Sequence, residues 1–403
     1  MAIDNKDKKV LNVPPLRFPE FTEEWEETTL GKISEITKGS GISKDQLSEQ
    51  GSPCILYGEL YTKYKSEIID EVYSRTELDS SSLVKSKAND VIIPCSGETA
   101  IDISTARCVP FNNILLGGDL NIIRLKHDDG GFFAYQLNGA RKKDIARVAQ
   151  GVSVVHLYGE NLKHIRVYHP AIEEQKKITR LLSLIDERIA TQNKIIEDLK
   201  QLKSAIIDYA INSLDTDFAK FGSLYETAGE GGTPTTSNTS FYDNGKIPFV
   251  KIDDLKQKYL TENKDFITEL GLQKSSAWLV PTRSILFSNG ATIGEITITT
   301  YPVCTKQGIL GIVPKSNIDV EFLYYFMSST YFKKAVSRIV TEGTMKTAYL
   351  KDINNILCPI PTNEKQQGIA KMPSALNSKI DYEQSLLKLF IMQKQYLLRQ
   401  MFI

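Results

Sequence analysis

Two short basic segments, each followed by a Gly-Ser/Thr turn, have the residue types and spacing of a nucleic-acid-binding surface. The first-half set consists of Arg141, Lys142, Lys143, Arg147, Gln150 and Ser153. The second-half set consists of Lys333, Lys334, Arg338, Thr344 and Lys346. Lysine and arginine suit phosphate oxygens, while amide and hydroxyl side chains can read base edges. A solvated helix face followed by an ordinary turn is the alternative, and recurrence of the layout leaves both interpretations open.

Five more polar residues of the second half are candidates for the same role. They adjoin strand-like runs or turns and are Lys251, Ser288, Asn289, Lys306 and Gln307.

Motifs for catalysis are missing from the sequence. It has no Gly-x4-Gly-Lys-Ser/Thr phosphate loop, no strand–Gly-x-Gly-x-x-Gly–helix unit and no Asn/Asp-Pro-Pro-Tyr stretch of an amino-methyltransferase. The histidines His127, His156, His164 and His169 do not have the spacing of metal ligands. We therefore expect no catalytic residue, no bound metal and no cofactor in this chain.

Composition narrows the class of protein only a little. The 403 residues include 49 basic and 49 acidic side chains, so net charge gives no argument for nucleic-acid binding, although a local basic patch is enough to contact phosphate. Five widely separated cysteines predict reduced thiols in a cytoplasmic protein. The leader, residues 1–17, is polar and does not resemble a signal peptide.

The sequence repeats itself after 191 residues. Pro170 matches Pro361 and Gln175 matches Gln366. Each copy begins with a Gly-rich, strand-like block that includes helical pieces, at 18–165 and 216–358, and continues into a helical block, at 166–215 and 359–403. Within the strand-like blocks we predict helices over 132–149 and 324–339. This organisation predicts an α+β fold with a pseudo-twofold internal repeat.

Both helical blocks carry a heptad pattern typical of a coiled coil. The first seam consists of Ile178, Leu182, Ile185, Ile189, Gln192, Ile196, Leu199, Lys203 and Ile206. The second seam consists of Ile369, Leu376, Ile380, Glu383, Leu387, Phe390, Lys394 and Leu397.

The polar seam residues recur at equivalent places in the two helices. Antiparallel packing would let Lys203 meet Glu383 and Gln192 meet Lys394, which would fix register. Alternatively, these side chains extend to solvent at a loosely packed edge. Pro373 is expected to kink or restart the second helix near Met372.

The order of these landmarks resembles the specificity (S) subunits of type I restriction–modification systems. The resemblance rests on segments from both halves: Leu16-Arg17-Phe18-Pro19-Glu20-Phe21, Trp25, Leu30-Gly31-Lys32-Ile33, Gly232-Thr233-Pro234, Ile247-Pro248-Phe249-Val250-Lys251, Ile285-Leu286-Phe287-Ser288, Gln307-Gly308-Ile309, and the helix starts Glu173-Glu174-Gln175 and Glu364-Lys365-Gln366. It covers nearly the whole chain.

The resemblance implies a non-catalytic, sequence-specific reader of double-stranded DNA in the cytoplasm. Residues 18–165 and 216–358 would be two target recognition domains, each reading one half of a bipartite, asymmetric target. The helical blocks 166–215 and 359–403 would be the antiparallel conserved helices that set the spacer, and about 40 residues give roughly 60 Å of helix. That length could hold two readers on successive major grooves about 34–36 Å apart.

The same resemblance implies partners that supply the chemistry. Methyltransferase (M) subunits would dock on the helices and use S-adenosylmethionine, and restriction (R) subunits would use ATP and Mg. An alternative function is a coiled-coil assembly scaffold with two domains that bind ligands other than DNA.

Overall fold

The structure, a computed structural model, describes residues 11–290, 292–340 and 346–403. The chain forms two compact units. Unit 1 comprises Met1–Asn193 and Ser385–Ile403, and unit 2 comprises Lys194–Gln384. The helices α7 (Ile172–Asn212) and α12 (Asn363–Gln400) therefore each contribute one part to each unit.

Unit 1 is built from twelve short strands and six short helices among its described residues, besides its parts of α7 and α12. The strands are β1 (Glu26–Thr29), β2 (Ser34–Lys38), β3 (Leu47–Ser48), β4 (Ser52–Ile55), β5 (Ser74–Thr76), β6 (Asp90–Pro94), β7 (Ser96–Gly97), β8 (Arg107–Val109), β9 (Leu115–Leu116), β10 (Leu120–Leu125), β11 (Val155–His156) and β12 (Arg166–His169). The helices are α1 (Leu30–Ile33), α2 (Glu59–Thr62), α3 (Ala100–Ile103), α4 (Gly130–Asn138), α5 (Lys142–Val148) and α6 (Gly159–Lys163).

Unit 2 repeats much of this order. Its strands are β13 (Phe218–Lys220), β14 (Tyr225–Glu230), β15 (Ile247–Val250), β16 (Tyr259–Leu260), β17 (Asp265–Ile267), β18 (Ile285–Ser288), β19 (Ile296–Thr299), β20 (Cys304–Thr305), β21 (Ile309–Pro314) and β22 (Leu357–Pro359). Its short helices are α8 (Glu269–Gln273), α9 (Val320–Ser328), α10 (Thr330–Ile339) and α11 (Leu350–Ile353).

The sheets of the two units correspond. An antiparallel sheet in the order β2-β10-β6-β8 matches the series β14-β21-β18-β19, to which unit 2 adds β16. A second sheet, β3-β5-β4-β9, matches β17-β15-β20, and in both the last pair in the order is parallel: β4 with β9, and β15 with β20. The predicted α+β class and internal repeat are confirmed.

The two helices predicted inside the strand-like blocks, over 132–149 and 324–339, are each divided into two shorter helices in the structure. In unit 1, α4 and α5 are separated at Gly139 to Arg141, since glycine is a poor helix residue and closes α4 through its N–H to Tyr135 O. In unit 2, Ser329 separates α9 from α10, because its hydroxyl accepts a hydrogen bond from Phe332 N and starts a new helix.

A buried glutamine ties each long helix to its recognition block. Gln175, only 1% exposed, accepts a hydrogen bond from Asp129 N at 2.9 Å, and its amide donates to Pro170 O at 2.9 Å. Gln366, also 1% exposed, makes the same pair of bonds with Asp319 N and Pro361 O.

These bonds place the glutamines at the starts of α4 and α9. Asp129 and Asp319 cap those helices with their carboxylates, which accept hydrogen bonds from Phe132 N and Phe322 N. The recurrence of Pro-x4-Gln at the start of each long helix is thus explained by one repeated hydrogen-bonding arrangement.

The leader segment is also anchored to α7. The guanidinium of Arg17 donates two hydrogen bonds of 2.7 Å to the buried carboxylate of Glu174. The indole of Trp25 donates a third hydrogen bond, at 3.4 Å. The pKa of Arg17 is raised, mainly by its hydrogen bond to Glu174.

Within each unit, the long helices pack antiparallel. In unit 1, Ile178 and Leu182 of α7 share a core with Leu397 and Met401 of α12. In unit 2, Ile207 and Ile211 of α7 share a core with Ala370 near the start of α12. Every residue of the two predicted seams is buried or half-buried.

The polar seam lysines find other partners than those predicted. Lys203 donates to Asn377 Oδ1 at 3.0 Å, and Lys394 forms ion pairs with Asp186 of α7 and Glu67 of the first recognition block. Lys394 is 13% exposed and Glu67 is 9% exposed, so this cluster is largely buried.

Pro373 does not interrupt α12, which runs from Asn363 to Gln400, so the helix does not restart near Met372, while the alternative of a kink stays a prediction. A proline inside a helix costs about 3 kcal/mol or more, because one backbone hydrogen bond is lost. Pro373 is buried. Packing around it offsets that loss.

Replacing either glutamine with leucine should destabilise the fold. Gln175→Leu or Gln366→Leu leaves the Asp129 or Asp319 N–H and a proline carbonyl without their partner, and should lower the free energy of unfolding by about 1–3 kcal/mol. Urea denaturation followed by circular dichroism measures this. The exposed neighbour Gln367→Leu is the matched control, and an equal loss in that variant would contradict the explanation.

The Lys394 cluster should make stability depend on pH. Burial and the adjacent Glu67 raise the pKa of Asp186 to about 6, whereas Lys394 keeps the pKa of Glu67 below its usual value. The folded chain therefore binds a proton at Asp186 that the unfolded chain binds only near pH 3.8, so this group adds stability as pH falls through 6.

Asp186→Asn removes that titration while retaining a polar partner for the Tyr135 hydroxyl, which donates to Asp186. Between pH 7.5 and 5, wild type should gain on the order of 1–2 kcal/mol relative to the variant. Urea midpoints at the two pH values test this, and parallel pH profiles of the two proteins would refute it.

Candidate nucleic-acid interface

The parallel strands β4 and β9 end beside a cleft of unit 1. Cys54 and Ile55 pair with Leu115 and Leu116, so the chain leaves both strands at the same edge. A cavity of about 1300 Å³ lies there. Its polar lining includes Ser43, Lys44, Gln46, Tyr57, Tyr61 and Lys63. We call this the unit 1 cleft. In open sheets with parallel strands, ligands characteristically bind at the carboxyl ends of strands.

Close backbone approach shapes this edge in both units. A Cβ atom on Gly39 would collide with the carbonyl oxygen of Gly117, which follows β9. A Cβ atom on Gly231 would likewise collide with Thr305, the last residue of β20. Glycine is needed at both positions for the loop to cross the end of the parallel strand.

The unit 1 cleft offers several kinds of contact to a polyanion. Lys44 is an exposed cation, Gln46 supplies amide groups, and Tyr57 and Tyr61 supply rings and hydroxyls. Burial raises the pKa of Tyr61, so its hydroxyl stays protonated and can donate a hydrogen bond. Lys63 is less available, because its ammonium is 2.7 Å from Glu59 Oε1.

Sequence reasoning did not identify these unit 1 residues. Their grouping depends on the parallel pairing of β4 with β9, which joins segments about 60 residues apart. The available signal was the Gly39-Ser40-Gly41 turn before Lys44, which is weak by itself.

In unit 2, three sequence-predicted residues meet at the equivalent edge. Lys251 follows β15, and Lys306 and Gln307 follow β20, which runs parallel to β15. Lys306 N donates to Val250 O at 3.0 Å, which fixes the two strand ends together. All three side chains are exposed, and Lys251 is 2.7 Å from Asp265.

Ser288 and Asn289 occupy structural positions instead of a reading surface. Both are buried. The Ser288 hydroxyl accepts from Glu295 N at 2.8 Å within the turn between β18 and β19, and Asn289 donates to Ala348 O at 3.3 Å. Their burial places both side chains inside the fold, whereas a side chain that reads a base edge has to be exposed.

The first basic set divides into anchored and exposed residues. Arg141 bonds to Ile403 O and Asp144, and its guanidinium lies 5.4 Å from the centre of the Tyr168 ring. Lys142 donates to Thr105 Oγ1 at 3.1 Å, and burial lowers its pKa. Lys143 and Arg147 are exposed, although Arg147 also contacts Asp144 at 2.9 Å.

The turn after α5 forms a small hairpin, in which Gln150 and Ser153 are exposed. In unit 2, Lys333, Lys334 and Arg338 are exposed on α10, as is Lys346. Thr344 lies outside the described residues. The two basic sets are therefore similar in exposure where both can be described, apart from the anchored Arg141 and Lys142.

The described residues contain neither a metal-site cluster nor a membrane-spanning helix. No group of three or more His, Cys, Asp or Glu side chains with the placement of a metal site occurs in 11–290, 292–340 and 346–403. Over the same ranges, no helix has the length and apolar character needed to cross a membrane.

Two similar α+β units, each exposing polar side chains where a pair of parallel strands ends, and two long helices together define a protein with two recognition domains. A family model described as type I restriction modification DNA specificity domain matches residues 22–201 and again residues 215–389. The chain belongs to this family.

Individual relatives agree with that assignment. The chain is 25% identical over 271 residues to a putative type I restriction enzyme MjaX specificity subunit from Methanocaldococcus jannaschii. The matched region spans 62% of this chain and 62% of that relative's length. It is 22% identical over 403 residues to the MjaVIII specificity subunit of the same organism, covering 93% of this chain and 91% of that one.

A solved structure shows the same fold. The crystal structure of a type I restriction-modification S subunit from M. genitalium superposes with a TM-score of 0.60 at 16% identity, covering 97% of this chain and 99% of that chain.

Removing the exposed cations Lys143 and Arg147 of α5 should weaken binding to duplex DNA of any sequence. The double variant Lys143→Ala, Arg147→Ala should reduce the slope of log affinity against log salt by about 2, since each lost phosphate contact removes about 1. Fluorescence anisotropy with labelled duplex DNA, over a salt series, measures this slope. Lys32→Ala, at another exposed lysine, is the control, and an unchanged slope in the double variant would exclude these phosphate contacts.

Proposed function

We propose that this chain is the DNA-reading subunit of a type I restriction–modification complex and has no catalytic centre of its own. Unit 1 reads one half of a bipartite, asymmetric target in double-stranded DNA, and unit 2 reads the other half. The helices α7 and α12 set the spacer between the half-sites.

The repeated edge, at which a pair of parallel strands ends in each unit, is the observation that carries this proposal. Both units expose polar side chains where a pair of parallel strands ends, and the family match gives both units the same kind of domain. The linings differ: unit 1 has Tyr57, Tyr61 and Gln46, whereas unit 2 has Lys251, Lys306 and Gln307. Different side chains at the same place suit two different half-sites.

The helices offer a docking surface for methyltransferase subunits in each unit. Leu389, Met392 and Tyr396 of α12 are exposed in unit 1, at the spacing of one helix face. Ile195, Leu202 and Tyr209 of α7 are exposed in unit 2, at heptad spacing. Exposed apolar stripes of this kind are typical of protein interfaces.

The chemistry belongs to the partners in this proposal. The methyltransferase subunits use S-adenosylmethionine to methylate adenine, and the restriction subunits, joined through the complex, use ATP and Mg. The complex acts on DNA in the cytoplasm, where the five cysteines, all buried free thiols, would stay reduced.

Mapping methylated adenines in cells tests the proposal. Deleting this chain should abolish methylation at one bipartite motif. Replacing residues 18–165 with the corresponding block of another family member should change one half of that motif and leave the other half and the spacer unchanged.

The helices serve as the internal control in this swap, since they stay the same. If no bipartite motif disappears on deletion, the proposed function is wrong. Binding without sequence preference and without salt dependence would instead favour an assembly scaffold.

A further inference from the structure

We infer that the hairpin Gln150–His156 of unit 1 recognises a thymine through its 5-methyl group, with Val152 as the contacting side chain. This inference rests on the proposed function and adds a residue that determines specificity. It concerns an apolar contact, whereas the cleft described above offers polar ones.

The hairpin presents Val152 as a fixed apolar tip. Val152 is 98% exposed and Val154 is 54% exposed, so neither side chain is packed in the core. Gln150 and His156 exchange two backbone hydrogen bonds, of 2.8 and 2.7 Å, which close the base of the hairpin. Gly151 turns the chain with a φ of +119°, a backbone conformation that residues with a Cβ atom rarely adopt.

The hairpin is anchored to the core of unit 1 below this tip. Val155 and Leu157 are buried, and Leu157 N donates to Cys95 O at 2.7 Å. An apolar side chain on a firmly held turn loses little conformational freedom when it binds, which favours its use in recognition.

Strand register places the tip at the rim of the unit 1 cleft. Val155 pairs with Gly97 and His156 with Ser96 in the antiparallel pair β11 and β7. Continuing that register sets Val154 opposite Glu98, and Glu98 lines the cleft with Tyr61 and Lys44. A ligand that occupies the cleft would therefore lie next to the hairpin tip.

Exposed cations on the helix that leads into the hairpin favour duplex DNA as the ligand, although Arg147 also pairs with Asp144 at 2.9 Å. Lys143 and Arg147 are exposed on α5, which ends two residues before Gln150. A protein partner that covered two valines would favour an apolar rim, whereas cations beside an apolar tip suit phosphates beside a base.

Among base edges, thymine offers the matching surface. Its 5-methyl group is exposed in the major groove, where small apolar side chains contact it. Val152 has two methyl groups and cannot form a side-chain hydrogen bond, so it distinguishes thymine by contact alone. Removing that methyl group from DNA, or the methyl groups from the protein, should have the same effect.

The test is a double-mutant cycle between the protein and the DNA. Once the half-site read by unit 1 has been mapped, each thymine in it is replaced singly with deoxyuridine, which lacks only the methyl group. The affinity of the chain with its methyltransferase subunits is then measured for wild type and Val152→Ser. At one thymine, wild type should bind deoxyuridine DNA about 3- to 5-fold more weakly, and the variant should bind both DNAs equally.

The matched control is Val154→Ser, the same chemical change at a half-exposed position of the same hairpin, which should keep the full preference for thymine. Val152 is almost fully exposed, so its substitution should leave the unfolding transition unchanged. The inference is overturned if wild type tolerates deoxyuridine at every thymine, or if Val152→Ser keeps the wild-type preference for thymine over deoxyuridine. It is also overturned if the variant impairs only assembly with methyltransferase subunits. Failure to find any half-site would instead refute the proposed function.

Discussion

The buried amides of Gln175 and Gln366 are the interaction on which the arrangement of each unit depends. Each glutamine bonds to the residue that caps a core helix and to the proline before its own helix. A recognition block and a long helix are thereby joined by fixed hydrogen bonds, not by apolar contact alone. Apolar surfaces can slide past one another, but a buried amide with two backbone partners fits in one orientation only, which is why both copies retain the same junction.

Much of the fold could be predicted, because its determinants are periodic or local. The heptad pattern from Ile178 to Ile206 predicted a long helix within the block 166–215, and α7 runs from Ile172 to Asn212. The breaks at Gly139 and Ser329 were missed, since a single capping residue competes weakly with a long apolar pattern. The continuity of α12 through Pro373 was missed for the opposite reason: buried packing outweighed a strong local signal.

The candidate site was only partly predictable. Lys251, Lys306 and Gln307 were identified from nearby strand-like runs, and the structure brings them to one edge. Ser288 and Asn289 looked equivalent in sequence, yet burial assigns them to the fold. The sequence could not predict the ion-pair partners of Lys394 either. Heptad spacing places a residue on a helix face, but Glu67 comes from a loop whose position depends on the whole recognition block.

The division of the chain between units has a consequence for synthesis. Leu397, Met401 and Phe402 belong to the core that contains Trp25 and Phe132, so the first half of the chain lacks part of its own interior until residues beyond 384 have been translated. Nascent chains that stop early would expose that interior and be recognised by chaperones and proteases. Cells would then accumulate few truncated readers that recognise DNA with a single domain.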